Sequence, residues 1–301
     1  MSVSNTEKYV GKAIKSILKQ SFSDFEFIII DDASTDRSLE IINHHKNKDP
    51  RIIIITNDVN LGISQSRNKG LEIAQGRFIG VMDSDDISLK NRFLKQVEFL
   101  ENNTDYVGVG TNTLHIDPEG FPFRKVDHPS TNDEINTQLL LGNGDAITHG
   151  SFLCRTNIVN DLGGYDESFI NVVDLDLFLR LAEKGKLSNL RDILYKVRFR
   201  EQSIGHQKSS LWKDNILKAL TKTMQRRNIE INLTDIEIGG LHQDDYRLYW
   251  AYTAYRYLNL HTTIKNFIIS IANNGIQKTH LDFMKLMFND GRGWSRRIFL
   301  K

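Results

Sequence analysis

The stretch Arg77-Phe78-Ile79-Gly80-Val81-Met82-Asp83-Ser84-Asp85-Asp86 decides how the rest of the chain is read. Its apolar run, bounded by polar residues, predicts a buried strand over 77–82. The strand ends abruptly in three carboxylates within four residues. In an open parallel sheet, ligands bind outside the carboxyl ends of the strands, so the acids fall where chemistry is usually done. Carboxylates this close repel one another, and a hard, oxygen-seeking cation such as Mg2+ or Mn2+ relieves the repulsion. The competing reading is structural. Asp and Ser are good helix caps, and a helix is predicted from about residue 89 to 101.

The same arrangement occurs upstream. Glu26-Phe27-Ile28-Ile29-Ile30 is a short apolar run that drops into Asp31-Asp32-Ala33-Ser34-Thr35-Asp36. Apolar pairs at Tyr9/Val10, Ala13/Ile14 and Ile17/Leu18 predict a helix over 6–20, with Asn5 or Thr6 as its cap. Further helices are expected over about 37–47 and 64–74, and Arg51-Ile52-Ile53-Ile54-Ile55 reads as a β-branched strand. Strand and helix thus alternate through the first hundred residues with short connections. That pattern predicts an α/β fold, a parallel sheet flanked by helices on both faces. Right-handed crossovers would then bring Asp31, Asp32, Asp83, Asp85 and Asp86 to one rim.

The second half changes character. A strand is expected over 106–111, and Asp117-Pro118-Glu119-Gly120 signals a turn between 112–116 and 121–126. A helix over 131–141, a strand over 147–154, a turn at 163–166 and a helix over about 174–184 follow. From about Gly205 the pattern is mainly helical, with aromatic residues clustered at 246–257.

Bulk properties narrow the class. At 301 residues with 26% charged and 40% hydrophobic, the chain reads as soluble and globular. A net charge of +1 gives no global nucleic-acid signature. Residues 205–301 hold 15 Lys+Arg against 8 Asp+Glu, whereas 1–204 hold 24 against 30. A mildly acidic body with a basic tail region is the reading. Cys154 is the only cysteine, which suits a reducing compartment. No run reaches the length of a membrane span, and no signal-peptide pattern opens the chain, so a cytoplasmic location is expected.

Taken in order, the motifs resemble those of the family 2 glycosyltransferases. These are inverting GT-A enzymes that use nucleotide-diphosphate sugars. The matching pieces are Ala13-Ile14-Lys15-Ser16-Ile17-Leu18-Lys19-Gln20-Ser21-Phe22, Ile30-Asp31-Asp32-Ala33-Ser34-Thr35-Asp36, Asn60-Leu61-Gly62 and Arg67-Asn68-Lys69-Gly70. Next come Ala74-Gln75-Gly76 and Asp83-Ser84-Asp85-Asp86. Gly163-Gly164-Tyr165-Asp166-Glu167 and Asp174-Leu175-Asp176-Leu177-Phe178-Leu179-Arg180-Leu181 complete the set. The resemblance spans about residues 3 to 204. It implies a GT-A domain over 1–204, Rossmann-like with a mostly parallel sheet, and a mainly helical C-terminal region over 205–301.

The resemblance also implies roles. Asn5, Asp31, Arg67, Asp83 and His149 would bind substrate: Asp31 by the nucleobase, Arg67 by base and phosphates, Asp83 at the ribose, His149 at the sugar and acceptor pocket. Asp85, with Asp86 nearby, would hold Mg2+ or Mn2+ against the diphosphate. Asp174 would be the general base. A helix cap is its structural alternative, and Asp176 is a rival two residues on. Relatives often carry an acid before the base. Here Val173 stands there, which should lower the base's pKa. For Arg67 and His149 the plainer alternatives are an exposed helix cation and a hydrogen-bonded histidine beside a strand. Arg200 stands where relatives have a histidine. The partners implied are a nucleotide-diphosphate sugar and a glycan or lipid-linked acceptor, with no nucleic acid.

One departure stands out. Relatives open with a strand of about eight residues, whereas only Met1-Ser2-Val3-Ser4-Asn5 precede the first helix, so the first strand is expected to be a stub. On that ground an inactive, sugar- or partner-binding pseudo-transferase competes with a working transferase. A phospho-acceptor regulator does not account for the Gly-Gly-Tyr-Asp region, and no G-x-G-x-x-G supports a dinucleotide oxidoreductase. The segment 291–301, with four basic residues and no acids, could give peripheral contact with the inner face of an anionic membrane.

Overall fold

The computed structural model describes residues 1–200, 210–230, 233, 246–257 and 259–289. The 291–301 segment lies outside the described residues. The chain divides into two compact units. The first takes in 1–114, 126–198 and 207–240, and the second 115–125, 199–206 and 241–301.

In the first unit the predicted opening helix is α1 (Val10–Leu18), which buries Val10, Ala13, Ile14 and Ile17 as the apolar spacing requires. Its start differs from expectation. Tyr9 is the cap residue without a side-chain bond, and the Thr6 carbonyl accepts from Tyr9 and Val10 N–H. Strand β2 (Phe27–Asp32) runs through its acids and pairs in parallel with β3 (Ile52–Asn57), from Phe27↔Ile52 to Asp32↔Asn57. Helix α2 (Ser38–Lys46) forms the crossover from β2 to β3, and α3 (Ile63–Ile73) follows β3. Strand β1 is Ser2–Val3, parallel to β2 at Ser2↔Ile30 and Val3↔Asp31. The first strand is therefore two residues long.

The strand expected over 77–82 is β4, only Phe78–Gly80, and it does not join β1–β3. It forms the edge of a six-stranded sheet of order β4-β8-β6-β9-β5, with β7 paired to β6. The members are β5 (Ile87–Ser88), β6 (Tyr106–Ile116), β7 (Pro122–Val126), β8 (Leu153–Arg155) and β9 (Lys186–Arg198). β1 lies opposite Ile30 and Asp31, and Met1 carries the contact on, donating to Ile28 O and accepting from Ile30 N.

Helix α4 (Arg92–Asn102) follows β5, and α5 (Asn132–Leu140) opens on a Thr131–Glu134 capping box. The strand expected over 147–154 is mostly a 3-10 turn at His149–Ser151, leaving only β8 extended. Helices α6 (Thr156–Asp161), α7 (Val173–Leu181) and α8 (Ser210–Arg227) complete the unit. One core gathers Ile14, Ile29, Val97 and Leu100, and another gathers Phe152, Phe178, Leu181 and Leu220.

The second unit packs the 115–125 hairpin tip with α9 (Tyr246–Arg256), α10 (Leu260–Asn274) and α11 (Lys278–Asn289). Phe123, Trp250 and Ala254 form its apolar centre. Asp117 is fully buried: Oδ1 accepts from the N–H groups of Glu119, Gly120 and Phe121, and Oδ2 from Lys265 Nζ and Asn266 Nδ2. Glu119 meets Arg247 and Lys265, which hold its carboxyl down at about 2 despite the opposing effect of burial.

One prediction follows from these placements. Lys265→Met takes the ammonium from a buried carboxylate and should cost about 2–4 kcal/mol in chemical denaturation.

Candidate active site

The two acids that end β2 do different work. Asp32 is consumed by structure: Oδ1 accepts from Asn57 Nδ2 and Leu61 N at 2.8 Å each, and Oδ2 accepts from Gly62 N at 2.9 Å. It fixes the loop that launches α3, where Gly62 holds φ 83. Asp31 is also buried. Its Oδ2 takes one long bond from Ser34 N, while Oδ1 has no donor among the described residues. Asn5, with φ 51, turns its Oδ1 onto Thr35 N at 2.8 Å and Asp36 N at 3.3 Å, so it ties the loop beyond β2 to β1.

α3 delivers Arg67, whose Nη2 donates to Asp83 Oδ1 at 2.8 Å; the arginine is mostly buried and the aspartate partly exposed. The guanidinium lies over the Tyr165 ring at 5.4 Å. Asn68 anchors that tyrosine, donating to its carbonyl and accepting from its N–H at 2.8 Å. Tyr165 hydroxyl and His149 Nε2 share a 2.9 Å hydrogen bond. Burial first, then the Arg67 charge, holds His149 well below its ordinary pKa, so the ring is neutral at pH 7.

The acidic loop rests on residues to which no local pattern assigns that role. Arg92, fully buried, donates to the carbonyls of Val81 and Phe152 at 2.7 and 3.1 Å and to Gln96 Oε1. Burial lowers it to about 10, while the charges of Tyr195, Asp83 and Asp86 raise it, so it remains a cation beneath the acids. Tyr195 hydroxyl accepts from Asp83 N at 3.2 Å and bonds Asp86. Asp86 is buried and accepts from Arg198 N at 2.6 Å; burial and the charges of Asp85 and Asp83 push its pKa well up. Asp85 is partly exposed, and its carbonyl accepts from Arg198 Nε at 2.7 Å. The loop is therefore pinned from β9 and α4, which no local pattern reveals.

Asp174 lies in the first turn of α7, partly exposed, with Oδ1 accepting from its neighbour Leu175 N at 2.9 Å. Val172, before it, holds φ 52, an uncommon conformation for a β-branched residue. Burial raises the Asp174 pKa, and Asp145 raises it further, while Arg67 acts the other way. Asp145 thus supplies, from another element, a like charge beside Asp174 where Val173 brings none. Asp176 is buried and salt-bridged to Arg180, which gives it a structural role.

The acidic loop itself offers carboxylate oxygens, from Asp83, Asp85 and Asp86, which suit a hard cation. Among the described residues no three His, Cys, Asp or Glu side chains converge on one point. Mg2+ commonly takes one or two carboxylates and completes its shell with water and substrate phosphates, so the donor set still fits.

The architecture is that of a GT-A glycosyltransferase. A family model described as Glycosyl transferase family 2 matches residues 1–163, and the chain belongs to that family. Across 221 residues it is 32% identical to UDP-Glc:alpha-D-GlcNAc-diphosphoundecaprenol beta-1,3-glucosyltransferase WfaP of Escherichia coli, covering 72% of this chain and 83% of that one. An uncharacterised glycosyltransferase of Methanocaldococcus jannaschii is 33% identical over 204 residues, 64% of this chain and 66% of that one. Among solved structures, S. aureus TarS in complex with UDP-GlcNAc aligns with TM-score 0.63 at 19% identity, over 86% of this chain and 70% of that one. The mannosyltransferase PcManGT from Pyrobaculum calidifontis, in complex with GDP-Man and Mn2+, aligns with TM-score 0.55 at 16% identity, over 98% and 81%. No helix among the described residues is long and apolar enough to cross a membrane.

Gly150 shows how tightly the rim is built. A Cβ there would lie 2.3 Å from Tyr195 Oη and 2.7 Å from Asp83 Oδ2. Gly150→Ala should therefore cost about 1–3 kcal/mol in chemical denaturation. Gly150→Ala combined with Tyr195→Phe should cost less than the sum of the two single changes, because the shortest of the three close contacts is removed.

Proposed function

We propose that this protein transfers a hexosyl group from a nucleotide-diphosphate sugar, a UDP-sugar in particular, to a hydroxyl of a glycan or lipid-linked acceptor. The transfer inverts the anomeric centre and serves the assembly of surface polysaccharide. The observation that carries this reading is the convergence of the Arg67–Asp83 pair, the neutral His149–Tyr165 pair and a partly exposed Asp174 of raised pKa in one network of charges. The polysaccharide role is supported by the kinds of relatives the chain matches, which include a chondroitin synthase of Escherichia coli, 27% identical over 227 residues. The chain spans 32% of that protein.

Each residue can be given a task. The open oxygen of Asp31 accepts a ring N–H of the nucleobase, a role a buried carboxylate otherwise short of donors suits. Asp83, oriented by Arg67 and by Tyr195, takes the ribose hydroxyls, and Asn5 holds the loop beside the base. Arg67 carries positive charge to the phosphates. His149 and Tyr165, held neutral, offer a hydrogen bond to the sugar or acceptor without adding charge. Asp174 takes the acceptor hydroxyl's proton as that oxygen attacks the anomeric carbon and the bond to the nucleoside diphosphate breaks. A single in-line displacement of this kind inverts the centre. The raised pKa brings Asp174 nearer the working pH, which favours a general base. Asp85, with Asp86 behind it, would hold Mg2+ or Mn2+, which supplies Lewis-acid stabilisation of the leaving diphosphate when bound.

The test is donor binding and turnover on a panel of UDP- and GDP-sugars, with and without Mn2+, for the unaltered chain, Asp85→Ala and Asp174→Asn. One donor should bind and turn over with the metal. Asp85→Ala should weaken metal-dependent binding, and Asp174→Asn should bind donor normally with turnover reduced by roughly 10³-fold or more. A folded chain that binds no donor would sink the transferase reading and leave a partner-binding protein. Donor bound without turnover would favour a sugar-binding pseudo-transferase.

A further inference from the structure

His128, on the segment between β7 and α5, is fastened to β6. Its backbone N–H donates to Asn112 Oδ1 at 2.9 Å, and its Nε2 lies 3.2 Å from Thr113 Oγ1. Asn112 and Thr113 are both buried, so the anchor is the interior of a strand. From there the ring reaches two 3-10 turns. Nδ1 lies 3.1 Å from the carbonyl oxygen of Asp145, in the turn Gly144–Ala146. Nε2 lies 3.0 Å from the hydroxyl of Thr148, the residue before the turn His149–Ser151. A carbonyl has no proton to give, so the contact with Asp145 assigns a ring proton to Nδ1. Nε2 of the neutral ring is then the acceptor for a threonine hydroxyl. Buried Asn189 ties the same segments together one residue further on, its Nδ2 donating to the carbonyls of Pro129 and Ala146 at 2.8 and 2.9 Å.

Both turns lead into the candidate site. A Cβ on Gly144 would lie 3.7 Å from Asp174 Oδ1 and 3.4 Å from Leu175 Cβ, so the first turn packs directly on the opening of α7. Asn143 Oδ1 accepts from Asp145 N at 3.1 Å and closes that turn. The second turn carries His149, whose Nε2 bonds the Tyr165 hydroxyl. We propose that His128 is a positioning residue: through Nδ1–H on the Asp145 carbonyl and Nε2 on Thr148, it clamps the turn that sets the place and surroundings of Asp174. Asp174 is a base only on the transferase reading, on which this role rests. Burial is the largest influence on Asp174; the charges acting on it are Asp145, from the clamped turn, and Arg67, from α3, and Tyr165 senses its charge in turn. Asp145 and Arg67 act in opposite directions, so the distance of Asp145 from Asp174 is what the clamp controls.

The experiment uses the whole chain, unaltered and as His128→Phe, His128→Asn and Asp145→Asn. Imidazole nitrogen NMR of the unaltered chain should show the His128 proton on Nδ1, and carboxyl carbon NMR follows the titration of Asp174. Phe keeps the bulk of the ring and loses both bonds, so the turn is released and the Asp174 midpoint should fall. Asp145→Asn should lower it too, because a like charge is removed. Asn places a donor where Nδ1 stood, so His128→Asn should keep the midpoint near that of the unaltered chain. In turnover, His128→Phe should lower kcat about 10–100-fold with donor Kd unchanged, and His128→Asn should retain most of the rate. A proton on Nε2 and none on Nδ1 would overturn the proposal. So would an Asp174 midpoint that stays put in His128→Phe or in Asp145→Asn, or equal effects of Phe and Asn at 128. If His128→Phe does not fold, the ring tautomer and the Asp145→Asn titration still decide. The titration needs neither donor nor acceptor. A chain that never turns over would end the transferase reading and leave the clamp to be settled by the titration.

Discussion

Crowded negative charge at the end of β4 is the constraint on which the first unit depends. Asp83, Asp85 and Asp86 occupy one short loop, and their mutual repulsion must be offset from outside it. The offset comes from below and from the side. Arg92, buried and bonded to the carbonyls of Val81 and Phe152, supplies a positive charge that cannot move away, and Tyr195 and Arg198 bond the loop from β9. A buried cation without acids above it would be costly, and acids without the cation would splay or take up protons. Each makes the other tolerable. The loop is held by these bonds while Asp85 remains partly exposed.

The same division between holding and presenting recurs at β2. Adjacent carboxylates alternate sides on a strand, so Asp31 and Asp32 cannot serve one purpose. Asp32 points where Asn57, Leu61 and Gly62 can satisfy it, and it organises the entry to α3. Arg67 reaches Asp83 because α3 starts where Asp32 holds it. Asp31 keeps an oxygen without a described donor. An acid spent on structure thus positions the residues that are left for ligands.

Proton affinities across the rim are set by burial more than by pair partners. His149 is lowered and Asp174, Tyr165 and Asp86 are raised, each with desolvation as the largest cause. Neutral forms are thereby favoured for His149 and Tyr165, which limits the charge around a reacting centre. Asp145, brought beside Asp174 from the 3-10 turn at Gly144–Ala146, acts as the neighbouring acid that Val173 cannot be.

Much of this was legible before any coordinates. Apolar runs located β2, β3 and β4, the first and last of them leading into acids, and helical spacing located α1 and α3, because burial periodicity is a local property of sequence. Motif order pointed to the family, since its residues recur at characteristic spacing. Strand lengths were less legible: 77–82 shortened to three residues, and 147–154 became mainly a turn that lets Gly150 pass against Tyr195 and Asp83. No local pattern assigns Arg92 or Tyr195 a place beneath the acidic loop. Their roles depend on contacts across 112 residues of chain, between Asp83 and Tyr195 for example, and no window of sequence contains both partners. By itself the sequence determined which residues carry charge and which faces are apolar. Only the tertiary structure decided which carboxylates are spent on holding the fold and which face outward, because that depends on the donors other elements bring within hydrogen-bond reach.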